Sequence, residues 1–160
     1  MFISQETNKS LNEMISIELT AVKQYMAIGT KFLELGYKNF AEHFFNESRE
    51  EQGHSLKIID YLVRVGGKVE FIGDKPFKTE FKNIEDMIQT ALDMETNYYK
   101  FQNEFMNKLK SMNDNLTTNF LIWFLENQVE EVNELTELLN KIKLVGEDKL
   151  FMLEQFINKE

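Results

Sequence analysis

Four long stretches of this chain repeat apolar residues with the period of an α-helix, and each breaks its apolar stripe with a glutamate near the middle. They run from about Asn8 to Leu35, Asn39 to Val65, Ile84 to Ser111 and Leu116 to Val145. Written as bundle-facing seams, the first reads Leu11, Ile15, Glu18, Val22, Tyr25, Gly29, Phe32. The second reads Phe40, Phe44, Glu47, Glu51, His54, Ile58, Tyr61, Val65. The third gives Ile84, Ile88, Ala91, Glu95, Tyr98, Gln102, Phe105, Leu109, and the fourth Thr117, Leu121, Phe124, Gln128, Glu131, Leu135, Leu138, Ile142.

Glycines mark the ends of these helices at Gly36, Gly66-Gly67 and Gly146. Short links join the first helix to the second and the third to the fourth, which makes antiparallel neighbours. The connection from Gly67 to Asn83 is long and holds the single proline, Pro76. It carries Val69, Phe71, Ile72, Phe77 and Phe81, so it is expected to lie along the bundle and make helices two and three parallel. A short amphipathic piece from Glu147 to Lys159 closes the chain, with Leu150, Leu153, Phe156 and Ile157 on one side. The whole of 1–160 reads as one domain, a bundle over about 8–145 and a fifth helix over about 147–159.

The chemistry open to such a bundle is narrow. There is no cysteine, which excludes disulfides, thiolate metal sites, iron–sulfur clusters and cysteine nucleophiles. A net charge of −9 argues against nucleic acid as a partner and fits cations. The N-terminus lacks the basic and apolar regions of a signal peptide, and no apolar run approaches the roughly 20 residues of a membrane span. The expectation is a cytoplasmic protein without a membrane partner.

Glu18, Glu51, Glu95 and Glu131 all lie within about two turns of the centres of their helices, at roughly 1.5 Å rise per residue. The bundle therefore brings four carboxylates to one level of its core, where unpaired charge is costly. No Lys or Arg stands in a seam near that level: Arg49 and Lys57 fall off it and Lys23 lies beside it. One resolution is that the carboxylates are partly exposed or protonated. The other is that cations neutralise them, and two divalent ions match four carboxylates. Glu51 and His54 are i and i+3, share a helix face and suit a common metal. Oxygen-rich ligation with one imidazole suits iron or manganese, with zinc a competitor. The other histidine, His43, lies off the seam and reads as ordinary surface.

At these residues the chain resembles the ferritins, specifically the haem-free bacterial type. The resemblance spans the whole length and is carried by Ile17-Glu18-Leu19 with Tyr25, Glu50-Glu51-x-x-His54, Glu95, and Phe120-Leu121-Ile122-Trp123-Phe124 leading to Gln128 and Glu130-Glu131. It implies an all-α, ferritin-like four-helix bundle with one long crossover and a short fifth C-terminal helix. It also implies a ferroxidase centre. Glu18, Glu51 and His54 would hold a first iron, and Glu51 would bridge to a second iron held with Glu95 and Glu131. Gln128 would hydrogen-bond near the site. Tyr25 would stand beside it as a hydrogen-bond or electron donor, the plain alternative being a core tyrosine. Trp123 would be a nearby electron donor, although packing alone also explains a buried Trp. Glu50 and Glu130 match a third, weaker iron site, or else are solvated charges on an inner surface. Asn127 stands where such ferritins often have another glutamate.

Related families fit less well. Bacterioferritins carry a second E-x-x-H on the fourth helix, but here Glu134 follows Glu131 at that spacing. They bind haem through a methionine after the bridging glutamate, and Gln52 occupies that position, so haem is not expected. Rubrerythrins add a cysteine-rich iron domain, and the DNA-protecting mini-ferritins lack the fifth helix. The resemblance implies iron storage: Fe(II) oxidised by O2 or H2O2 at an intra-subunit di-iron site, and Fe(III) mineral held in a hollow homo-oligomeric cage of 24 subunits. A di-iron oxidase or peroxidase of the same fold that stores no iron is the enzymatic alternative, and a non-catalytic helical interaction protein the third reading.

Overall fold

A computed structural model describes residues 1–157 of the chain. It contains α1 (Gln5–Glu34), α2 (Lys38–Arg64), α3 (Ile84–Ser111) and α4 (Asn115–Val145), then a 3-10 turn (Glu147–Lys149) and α5 (Leu150–Glu154). No strand occurs among the described residues. Side-chain caps fix three of the starts: Ser4 Oγ accepts from Thr7 N, Asn83 Oδ1 from Asp86 N, and Asp114 Oδ1 from Thr117 N. Gly66 ends α2 in the left-handed region at φ 77°, where a side chain would be strained. Gly29 lets α1 and α2 cross closely, since a Cβ there would stand 2.7 Å from the Phe45 ring.

α1 packs against α2 and α3 against α4. The C-terminal halves of α1 and α4 share one apolar cluster with the N-terminal halves of α2 and α3, built around Phe32, Phe40, Phe44, Ile88 and Ile142. The opposite halves share a second, around Leu11, Ile15, Ile58, Leu62, Phe105 and Leu121. Helices two and three are therefore parallel, as the long crossover requires. This is the expected all-α four-helix bundle with one crossover and a short fifth helix. Its core is two apolar blocks, and the glutamate layer lies between them.

The crossover does run along the bundle, but not for the reason its apolar residues suggested. Val69 and Phe81 pack inward, while Phe71, Ile72 and Phe77 are exposed. Polar side chains on one edge of α1 carry the strap instead. Asn8, Asn12, Ser16, Thr20 and Gln24 recur every fourth residue and so lie in one row. Asn8 Oδ1 accepts from Lys68 N at 2.8 Å, and Asn12 bonds Lys68 O at 2.8 Å and Glu70 N at 2.7 Å. Ser16 Oγ donates to Gly73 O, and Thr20 Oγ1 accepts from Lys75 N. Gln24 pairs with both backbone groups of Lys78 at 2.8 Å. A strap without secondary structure of its own thereby satisfies much of its main chain.

The fifth helix is shorter than its amphipathic pattern suggested, and positions 158 and 159 lie outside the described residues. Leu150 is buried, and Leu153 and Ile157 pack on the first apolar cluster, while Phe156 is exposed. The Glu154 carboxylate accepts from Asn39 N at 2.7 Å and Phe40 N at 3.1 Å. It thus caps the start of α2, which has no side-chain cap from its own N-cap residue.

Candidate metal centre

Each long helix delivers one glutamate to the layer between the apolar blocks: Glu18 from α1, Glu51 from α2, Glu95 from α3 and Glu131 from α4. Glu18 and Glu95 are each 1% exposed, Glu51 2% and Glu131 7%. The carboxylates are therefore not solvated. Among the described residues no Lys or Arg forms an ion pair with any of them. Lys23 pairs with Asp74 on the strap, Arg49 with Glu42, and Lys57 lies over the Trp123 ring. Among the described residues the basic group at the layer is His54, whose Nδ1 lies 3.4 Å from both Glu18 Oε2 and Glu51 Oε2.

Three sets of side chains among the described residues converge tightly enough to share an ion, and two of them lie within the layer. Donor atoms of Glu18, Glu51 and His54 lie within 4.8 Å of one another, as do those of Glu51, Glu95 and Glu131. Glu51 belongs to both. Two of its layer's oxygens, Glu18 Oε2 and Glu51 Oε1, are buried without a hydrogen-bond partner.

The electrostatics are those of buried carboxylates packed close to one another. Burial pushes the Glu18 carboxyl up to about 7. Burial and then the Glu51 charge push Glu95 up to about 8. Burial and then Glu18 hold Glu51 well above the usual carboxylate range. Glu131 is raised by burial and by Glu47. Burial alone would lower the His54 imidazole, but the hydrogen bond and charge of Glu51 outweigh it and leave His54 raised.

Polar groups hold the layer in place. Tyr25 donates its hydroxyl to Glu95 Oε1 at 2.8 Å. Gln128 Nε2 donates to Glu95 O at 2.9 Å and to Glu95 Oε2. Gln102 Nε2 reaches Gln128 Oε1 at 3.4 Å. Trp123 meets His54 edge to face, ring centroids 5.3 Å apart, and is 39% exposed rather than buried.

Beside the layer, α2 and α4 line an acidic groove of about 950 Å³ that includes Glu47, Glu50, Asn127, Glu130, Glu131 and Glu134. Glu47, Glu50 and Glu131 bring donor atoms within 4.8 Å of one another there. Of the two residues the sequence suggested for a third site, Glu50 joins this set. Glu130 lines the groove without entering the set, and both are exposed. His43 also lines the groove and is half-buried, so it is not plain surface.

Glu47 was legible only as a seam residue. It is buried, and burial raises its carboxyl. A signal was present: Glu47 is a second glutamate in one seam, four residues before Glu51 and three before Glu50. Tyr98 and Gln102 also stood in a seam without an assigned role, and both border the layer.

A ferritin-like domain model matches residues 8–145. The chain is 31% identical over 150 residues to ferritin BfrB of Mycolicibacterium smegmatis, covering 94% of this chain and 82% of the relative. It is 29% identical over 157 residues to the bacterial non-heme ferritin of Campylobacter jejuni, covering 97% and 94%. Among solved structures, an open pore ferritin from Archaeoglobus fulgidus superposes with a TM-score of 0.95 at 26% identity, covering 99% of this chain and 98% of that one. A humanized archaeal ferritin gives the same score and identity, covering 99% and 97%. The chain belongs to the ferritin-like family, with relatives of the bacterial ferritin type.

Proposed function

We propose that this protein is an iron-storage ferritin whose buried glutamate layer is a ferroxidase centre. The observation that carries the reading is the pair of three-residue donor sets sharing Glu51, buried and, among the described residues, without a Lys or Arg ion pair. Fe(II) is the substrate. Glu18, Glu51 and His54 take one ion, and Glu51, Glu95 and Glu131 take a second. Four carboxylates against two divalent ions leave the layer neutral, which removes the cost of burying it. Mixed carboxylate and imidazole donors suit iron in both oxidation states. Each Fe(II) gives up one electron, and the pair of electrons reduces O2 to H2O2, or H2O2 to water, with protons drawn from solvent.

The chain's own groups do three things around that transfer. Gln128 and Tyr25 fix Glu95, so the second set is oriented before metal arrives. The apolar blocks on either side exclude water and strengthen the carboxylates' hold on the more highly charged product. Glu47, Glu50 and Glu131, with Glu130 at the rim, offer Fe(III) a third and more open stop on its way out of the layer. The product is stored as mineral inside a homo-oligomeric cage of 24 chains, in the cytoplasm and without haem. The names of the relatives, bacterial non-heme ferritin and ferritin BfrB, support this reading.

Anaerobic loading with Fe(II) followed by oxygen tests it, with Fe(III) followed by ultraviolet absorbance. The expected result is rapid oxidation of two irons per chain, one for each donor set. The Glu51→Ala/His54→Ala protein should lose the fast phase. Oxidation no faster than in buffer would sink the ferroxidase claim. Fast oxidation that stops at two irons, on a particle too small to be a cage, would favour the oxidase that stores no iron.

A further inference from the structure

Tyr98 lies on α3 one turn beyond Glu95, and nothing in the reading above uses it. It is 4% exposed. Its ring forms part of the wall of a mainly apolar groove of about 540 Å³ between α1, α3 and the strap, with Ile17, Pro76, Phe77, Met94 and Phe101. Its hydroxyl is not in that groove. It is turned inward, fully buried, where it interacts with the Glu18 carboxylate and the Gln102 amide. It nevertheless makes no hydrogen bond of acceptable geometry. Gln102 Oε1 is likewise buried without a hydrogen-bond partner, and so is Glu18 Oε2, which has only His54 Nδ1 near it at 3.4 Å. Three buried atoms without hydrogen bonds thus belong to Tyr98 and to the two side chains it interacts with.

Packing does not account for this. A phenylalanine would wall the groove equally well and would spare the chain an unsatisfied hydroxyl, which costs about 1–3 kcal/mol. The arrangement also has a counterpart at the other end of the layer. There Tyr25 donates to Glu95, a member of the second donor set but not the first. Tyr98 faces Glu18, a member of the first set but not the second. Glu95 on α3 has a buried phenol bonded to it, and Glu18 on α1 has a buried phenol beside it that is not yet in hydrogen-bonding geometry.

We propose that Tyr98 is a positioning residue for the first donor set: its hydroxyl donates to Glu18 when that carboxylate turns to hold a cation. The inference rests on the two-ion reading of the layer. The bond fixes which Glu18 oxygen is left for the ion and takes up the hydrogen-bonding capacity of the other. Gln102 holds the phenol in reach, and through Gln128 it ties this end of the layer to Glu95.

The test separates the two donor sets and uses Co(II) as a redox-inert probe, titrated anaerobically by its visible absorbance. Glu131→Ala leaves the Glu18, Glu51, His54 set whole, and His54→Ala leaves the Glu51, Glu95, Glu131 set whole. Adding Tyr98→Phe should weaken Co(II) binding roughly tenfold in the Glu131→Ala protein and leave it unchanged in the His54→Ala protein. Tyr25→Phe should show the reverse selectivity. Without metal, Tyr98→Phe should melt at or above its parent, because an orphaned hydroxyl has been removed. Equal losses in both backgrounds, no loss in either, or a drop in metal-free melting with no selective loss would each overturn the assignment. If the unaltered protein fails to bind two Co(II) per chain, the two-ion reading fails and this inference falls with it. Two Co(II) bound with no Tyr98 selectivity would overturn the inference alone.

Discussion

The Tyr25 hydroxyl donates to Glu95 Oε1 across 2.8 Å, with both groups sealed from solvent. Burial and the Glu51 charge push the Glu95 carboxyl up, and the bonds from Gln128 and Tyr25 oppose that rise. Removing the phenol should therefore lift Glu95 further and make it harder to ionise for a cation. Tyr25→Phe is expected to move the pH midpoint of metal uptake by the second donor set upward, with roughly tenfold weaker binding at neutral pH. Zinc titrations at several pH values check this. An unshifted midpoint would show that Tyr25 serves packing alone.

The raised carboxyls also set how stability without metal depends on pH. Glu18 moves from 4.5 to about 7 and Glu95 from 4.5 to about 8 on folding. Between those values the folded chain holds protons that the unfolded chain has released, so stability falls as pH rises. The contribution is fully present below 4.5 and is lost as pH passes through about 7 and about 8. The metal-free protein should therefore melt at a higher Tm in mild acid than at pH 8. A divalent ion should reverse that order, since it replaces the protons and binds only the folded layer. Calorimetry with and without Zn(II) reads both slopes. A metal-free Tm that rises from mild acid to pH 8 would mean the carboxylates are ionised without a metal.

What the sequence revealed and what it hid follow from one distinction. Glu18, Glu51, Glu95, Glu131 and His54 stood out because each is a polar residue near the middle of a seam whose ends are apolar. The helical period alone located them, and the structure brings them together as two overlapping sets. The row Asn8, Asn12, Ser16, Thr20, Gln24 has equally regular spacing, but polar residues every fourth position also describe a solvent-facing edge. Only the strap's backbone, remote in sequence, distinguishes the two cases. Tyr98 was hidden differently: a tyrosine in a seam is ordinary, and its unsatisfied hydroxyl is a matter of geometry. The fifth helix was over-extended because its apolar residues repeat beyond Glu154, the residue whose carboxylate caps α2.

That polar row makes a prediction about stability with no metal involved. Asn12 and Gln24 are each 3% exposed and hold both a donor and an acceptor of the strap. Asn12→Ala or Gln24→Ala leaves those backbone groups without their partners and should cost about 1–3 kcal/mol each. The two sites are three turns apart, so their costs should add. Replacing the exposed strap residue Phe71 with Ser should cost the isolated chain far less. Urea denaturation of the parent, the three single variants and the Asn12→Ala/Gln24→Ala double variant decides whether hydrogen bonds or apolar contacts hold the crossover.

The one tryptophan, Trp123, is a reporter on the first donor set. The Lys57 ammonium lies 3.3 Å from the centre of the Trp123 ring, and the His54 ring meets that ring edge to face. Trp123 emission should therefore respond to charge on either neighbour. Co(II) held by His54 stands close enough to quench it, so titration should reduce emission in step with filling of the first set. His54→Ala should abolish the quenching while leaving a bright tryptophan. Lys57→Met removes the cation and should cost about 0.5–1 kcal/mol. It should shift the emission but leave the response to Co(II) intact, because Lys57 belongs to neither donor set. Quenching that survives His54→Ala would place the first ion away from the imidazole. That outcome would reduce the centre to its carboxylates, since His54 is the only nitrogen donor in either set.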